Sequence, residues 1–136
     1  MVIYNDKALI RKIIQIINGA WINNNLEILN DYFDDKMIII TQELKNKAAG
    51  REACIMNYKK FIETIILLDF NQGEPIIELW NNSAIAVYNY EITYKAKDKK
   101  IFKKGEDIIV FNREDIEDNY WKAVFQKVVV YNKHCY

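Results

Sequence analysis

Proline, histidine, cysteine and glycine are scarce in this chain, which has one, one, two and four of them among 136 residues. Each scarcity removes a class of function. Four glycines are too few for most loops that let a backbone close around a phosphate, and the sequence contains neither a G-x-S-x-G turn nor an H-E-x-x-H helix. One histidine, His134, with two distant cysteines, Cys54 and Cys135, cannot assemble a zinc ligand set. No metal and no nucleotide cofactor are expected. Cys54 falls inside a helical apolar pattern and Cys135 in a disorder-prone terminus, so two free thiols in a reducing compartment is the plainer reading than a disulfide.

An excess of either charge is also missing: nineteen Lys and Arg balance nineteen Asp and Glu. Nothing there supplies a field for a nucleic acid or an anionic bilayer. The densest basic stretch (Lys95, Lys97, Lys99, Lys100, Lys103, Lys104) is interrupted by Asp98 and followed by Glu106 and Asp107, as in a solvated hairpin tip. No apolar run approaches the roughly 20 residues that span a bilayer. Asp6, Lys7, Arg11 and Lys12 break any apolar core of a signal peptide. The expectation is a soluble, cytoplasmic protein with no nucleic-acid or membrane partner.

What is present is apolar material, 51% of the residues, enough for one core and one domain over 1–136. Its periodicity changes once along the chain. Leu9, Ile10, Ile13, Ile16, Ile17, Ala20 and Trp21 make one helical stripe that Asn5 or Asp6 can cap. Asn23-Asn24-Asn25 breaks it, and Leu26, Leu29, Tyr32 and Phe33 predict a short second helix that ends at Asp34-Asp35-Lys36. Met37–Thr41 reads as a short buried strand and 42–49 as a polar loop. Gly50-Arg51-Glu52 opens a third helix with Ile55, Tyr58, Ile62, Ile65 and Ile66 on one face, closed by the segment from Asp69 to Glu74. After Pro75 the period becomes two, with strands predicted at 76–80, 84–94, 101–112 and 120–131.

Asn81-Asn82-Ser83 and Lys97-Asp98 are the expected hairpin turns, and Arg113 to Asn119 an exposed tip. A turn symmetric about Lys97-Asp98 pairs residues whose numbers sum to 195. One face then sets Tyr88 opposite Asp107 and Tyr90 opposite Gly105. The other sets Glu91 opposite Lys104 and Asn89 opposite Glu106. Facing side chains lie about 4.5–5.5 Å apart at Cβ, within reach of a Tyr88–Asp107 contact. Gly105 leaves room for a ring or for the sheet to bend. Alternation alone leaves open which face looks inward.

The run Trp21-Ile22-Asn23-Asn24-Asn25-Leu26-Glu27, then Tyr32-Phe33-Asp34-Asp35, then Gly50-Arg51-Glu52, resembles the start of nuclear transport factor 2-like domains. The stretches Ala84–Tyr90, Gly105–Phe111 and Trp121–Val124 resemble their later part, and the likeness is greatest to the SnoaL-like and ketosteroid-isomerase-like branch, including its many members of unknown function. The resemblance implies an α+β fold in which a cone of curved antiparallel sheet is closed by three N-terminal helices around a pocket, often as a homodimer through the outer sheet face. Members of the family it resembles include isomerases, dehydratases, cyclases, targeting modules and non-catalytic binders, so function must come from the site. Some of them carry a histidine on the last strand. Here the nearest position is Lys127.

Asp107 with Tyr88 and Tyr90 is the first candidate for chemistry: a desolvated carboxylate to move a proton, and a tyrosine hydroxyl to donate to a developing oxyanion. The alternative is a strand carboxylate tied to a structural tyrosine. Trp21, Tyr32, Tyr58 and Phe61 are candidates for the apolar wall of a ligand site or for plain core. Lys127, a charge among Val124, Phe125, Val128, Val129 and Val130, would hold an anionic ligand or snorkel outward. Glu91, Lys104, Glu106 and Asn89 read as an exposed face or a dimer contact, and Arg51 with Glu52 as a helix-start tie. The function expected is binding of a small, largely apolar organic molecule, with cofactor-free acid–base chemistry or as a non-catalytic ligand-binding or interaction module.

Overall fold

The computed structural model describes residues 5–41 and 47–136. Helix α1 (Asp6–Ile22) starts where the Asn5 side chain accepts the Ala8 amide at 3.1 Å, and it buries Ile10, Ile13, Ile14, Ile17 and Trp21. A short 3₁₀ turn (Leu26–Ile28) leads into α2 (Leu29–Tyr32), and α3 spans Arg51–Thr64. Seven strands follow or interleave: β1 (Phe33–Thr41), β2 (Lys47–Ala49), β3 (Ile66–Gln72), β4 (Ile76–Trp80), β5 (Ser83–Ala96), β6 (Lys99–Asn112) and β7 (Lys122–Cys135). They form one sheet in the order β2-β1-β7-β6-β5-β3, with β4 also on β5. All neighbours are antiparallel except β1 with β7. The sheet is curled and unclosed, and the helices lie in its hollow.

The centre of this sheet is the β5–β6 hairpin. Lys97, at φ 57°, takes the left-handed turn position, and every pair from Ala96–Lys99 to Ser83–Asn112 sums to 195 as expected. Ala84, Ala86, Tyr88, Tyr90, Ile92 and Tyr94 are all buried, an unbroken period of two that assigns this face to the interior. Gly105 on the same face lies under the Tyr90 ring. A β-carbon there would meet the Val129 carbonyl oxygen, and would stand 2.8 Å from the Tyr90 hydroxyl.

Several boundaries differ from the sequence expectation, each for a long-range reason. The second helix stops before Phe33, which already pairs with Ala123 on β7, and the Asp34 carboxylate accepts the Lys36 amide inside the irregular start of β1. The segment expected to close α3 is instead β3. Its alternation is hidden by a bulge at Leu68, between the pairs Leu67–Tyr94 and Asp69–Thr93, and Asp69 and Asn71 are exposed on an edge. Ile66 is consequently 66% exposed rather than on the face of α3. Residues 47–49, read as loop, make the short edge strand β2, while 42–46 lie outside the described residues. β7 extends to Cys135, which pairs with Ile101.

One end of the hollow is sealed by Arg113. Its guanidinium pairs with Asp6 at 3.0 Å, donates to the carbonyls of Asn81 and Asp118, and lies over the Trp121 ring at 4.4 Å from its centre. The start of α1, the β4–β5 turn and the β6–β7 connection are thereby fastened to one buried cation.

Two glycine substitutions should separate space from backbone freedom. Gly105→Ala is expected to lower stability by about 1–3 kcal/mol, because the added methyl overpacks against Tyr90 and Val129. Gly19→Ala, on α1 with nothing within 4 Å of the new atom, should raise it by roughly 0.4–1 kcal/mol. Urea midpoints of the two variants would move in the same direction if this account of Gly105 were wrong.

Candidate functional site

A cavity of about 710 Å³ lies between the concave sheet face and helices α1 and α3. Trp21, Phe61, Phe70 and Ile92 supply apolar wall, Tyr58 and Tyr90 supply rings with hydroxyls, and Asp107, with Asn18, lies at the inner end. The rings pack on one another: Trp21 stacks with Tyr58 at 5.9 Å and meets Phe70 edge-on at 5.2 Å between centroids. Lys103 and Lys133 lie at the other end, near the tip of the β5–β6 hairpin.

Asp107 is the one buried acid among the described residues, 7% exposed. The Tyr88 hydroxyl donates to its Oδ2 at 2.8 Å, and the Gln126 amide also hydrogen-bonds it. Behind these donors the network continues. The Asn18 amide donates to the Tyr88 oxygen at 3.2 Å and to Gln72 Oε1 at 2.6 Å, while Asn18 Oδ1 accepts from the Trp21 indole at 3.0 Å. The Tyr58 hydroxyl donates to Gln126 Oε1 at 2.9 Å. With Oε1 so occupied, Gln126 turns its N–H toward the carboxylate. Every group in this shell is neutral.

Burial therefore dominates the electrostatics. It pushes the Asp107 carboxyl from 3.8 up to about 6, against the opposing pull of the Tyr88 and Gln126 hydrogen bonds. Tyr58, Tyr88 and Tyr90 are all raised above the ordinary phenol value, first by burial and then by the Asp107 charge, so they remain protonated donors. Burial likewise pushes the Cys54 thiol up to about 11, where it donates to the carbonyls of Met37 and Ala48 and fastens α3 to β1 and β2. A carboxylate poised near neutrality beside hydroxyl donors can take a proton from a weak carbon or oxygen acid and return it elsewhere.

The sequence candidates divide. Asp107, Tyr90, Trp21, Tyr58 and Phe61 meet at the cavity, and Tyr88 stands directly behind Asp107 with its hydroxyl already engaged. Tyr90 donates to the Val129 carbonyl at 3.4 Å, a long bond that leaves it the more available hydroxyl. Tyr32 packs half-buried against the main core and is not among the lining residues. Lys127 pairs with Ile108 on the outer face, so it does not reach the cavity. Glu91 and Lys104 form an exposed outer pair at 3.7 Å.

Gln126 and Asn18 were missed by sequence reasoning. Counting inward positions from buried Ala123 by strict alternation selects residues 125 and 127. A bulge between the pairs Phe111–Ala123 and Val110–Phe125 inverts that parity and brings Gln126, Val128 and Val130 inward. Asn18 sits on the edge of the α1 stripe, three residues before Trp21, and a polar residue on an otherwise apolar face was the available signal.

Stability should fall with pH around this carboxyl. Because its folded-state value exceeds the unfolded one, its contribution is complete below about pH 4 and lost as pH rises through about 6. The wild type is expected to lose up to about 3 kcal/mol across that window relative to Asp107→Asn. Denaturation midpoints measured from pH 3.5 to 7.5 that ran parallel in the two proteins would refute the assignment.

No protein-family model and no curated protein sequence matches this chain. Solved structures do. An NTF2-like protein from Cytophaga hutchinsonii superimposes with a TM-score of 0.77 at 18% identity, over 94% of this chain and 100% of its own. A scytalone dehydratase-like protein from Novosphingobium aromaticivorans gives 0.81 at 13% identity, over 96% and 87%. The S. rosetta CaMKII hub gives 0.75 at 12% identity, over 96% and 100%. The curled sheet, the helices in its hollow and these superpositions together give the chain the fold of the nuclear transport factor 2-like proteins.

Proposed function

We propose that the cavity binds a small, largely apolar organic molecule and that Asp107 moves a proton on it without a cofactor, in an isomerisation, dehydration or cyclisation. The observation that carries this reading is a lone buried carboxylate at the inner end of an aromatic-walled cavity, surrounded by neutral donors and raised to about 6. Asp107 is the acid and base. Tyr88 and Gln126 hold it in one orientation, and Tyr90 is the donor for oxygen charge that develops on the substrate. Trp21, Tyr58 and Phe61 exclude water from the reacting atoms.

The rival reading, a non-catalytic carrier or interaction module, differs in what the cavity does. Thermal-shift screening with hydroxylated aromatics and steroids is expected to find ligands, each adding about 2.7 kcal/mol of stability at 100 times its Kd. Among compounds that also turn over, Asp107→Asn should reduce kcat by about 10²–10⁴ while binding persists. Binding with no turnover of any ligand, and none altered by Asp107→Asn, would leave the carrier reading; no binding at all would leave the interaction module.

We further propose a homodimer through the outer sheet face. Ile85, Val110 and Phe125 form one row across β5, β6 and β7, and Ile76, Val87 and Ile108 a second, with Ile76 69% exposed. Light scattering should report twice the chain mass at micromolar concentration, and Ile108→Lys should return it to one. A monomeric wild type would sink this assembly and leave the cavity proposal standing.

A further inference from the structure

Lys103 and Lys133 stand directly opposite each other on β6 and β7, and both line the cavity. Like charges facing across a sheet, about 4.5–5.5 Å apart at Cβ, oppose its pairing. Among the described residues neither lysine has a carboxylate within ion-pair distance, whereas Lys104, on the outer face, is paired with Glu91. Lys103 is also held in place: its ammonium lies 5.3 Å from the centre of the buried Tyr94 ring. The chain is neutral overall, yet residues 95–104 carry six lysines against Asp98 alone. The lip of the cavity therefore carries two facing positive charges, beside a lysine-rich hairpin tip.

We infer that the guest carries a carboxylate, held between the Lys103 and Lys133 ammonium groups, while its apolar body runs inward over Trp21, Phe61 and Phe70 toward Asp107. The inference rests on the reading that the cavity takes a guest. Its geometry sets the length of that guest. Lys103 and Asp107 are four residues apart on one uninterrupted strand, about 13 Å at a rise near 3.3 Å per residue. A two-ring acid spans that distance and keeps its own charge away from the buried carboxylate. An anion caught between the facing lysines also removes their mutual repulsion.

The test uses biphenyl-4-carboxylic acid and the isosteric neutral biphenyl-4-carboxamide, titrated calorimetrically into the full chain. The acid is expected to bind at least tenfold more tightly than the amide. Lys103→Met with Lys133→Met should erase that preference, with an unchanged circular dichroism spectrum and denaturation midpoint certifying the fold. Lys100→Met with Lys104→Met, at outward positions and with the same change of net charge, should preserve it. Equal affinity for acid and amide, or a preference that survives the Lys103/Lys133 double variant, overturns the carboxylate inference while the cavity reading stands. Binding of neutral hydroxylated aromatics but of neither biphenyl overturns it in the same way. If nothing binds, both readings fall.

Discussion

The pairing of β5 with β6 is the constraint from which the rest of the site follows. Side chains alternate across a sheet, so this register alone decides that Tyr88 meets Asp107 and that Tyr90 lies over Gly105. A slip of one residue would put Asp107 in water and bring Glu106 and Lys104 inward, exchanging the apolar face for a charged one. The turn at Lys97, the unbroken inward row from Ala84 to Tyr94 and the space above Gly105 all favour the same register. Agreement of local and long-range preferences of this kind is what gives a sequence one fold rather than several.

On that frame the hollow is chemically graded from end to end. At the sealed end, the two terminal nitrogens of Arg113 meet Asp6 and backbone carbonyls, and its guanidinium lies over the Trp121 ring. In the middle, one carboxyl is buried and compensated by neutral donors alone. Hydrogen bonds to a carboxylate stabilise its charged form, but burial removes more than they return, and the net shift is upward. The same hydrogen bonds join the layers: Trp21 and Asn18 belong to α1, Tyr58 to α3, Gln72 to β3, Tyr88 to β5 and Gln126 to β7. The network that sets the electrostatics thus also fixes the helices over the sheet.

The structural comparisons illustrate why the fold alone assigns no activity. A dehydratase-like protein and a kinase hub superimpose on this chain comparably well at 13% and 12% identity. A curled sheet with helices in its hollow is a shape that many sequences reach, and what it does depends on the few side chains directed inward. In this chain those include an aspartate, tyrosines, a glutamine and an asparagine amid aromatic wall, with two lysines at the far end.

Local patterns carried much of this into view. The α1 stripe, its Asn5 cap, the Asn81 and Lys97 turns and the Tyr88–Asp107 pairing all depend on residues close in sequence or related by one tight turn. Elements defined by distant partners were not legible. β3 looked like the polar end of a helix because it is an edge strand that carries exposed Asp69 and Asn71 and whose alternation is interrupted at Leu68. Phe33 looked helical until β7 was there to pair with it. The exchange of Lys127 for Gln126 has the same origin. Bulges are created by the mismatch of two strands, so neither strand's sequence records which residue will be displaced. The sequence by itself determined helix α1, the body of α3, the four later strands, the β5–β6 register and the faces within that hairpin, since these follow from period and turn chemistry. Only the tertiary structure decided which face is concave, where bulges invert the parity and which polar groups meet in the hollow, because curvature and desolvation arise once the whole sheet has closed over the helices.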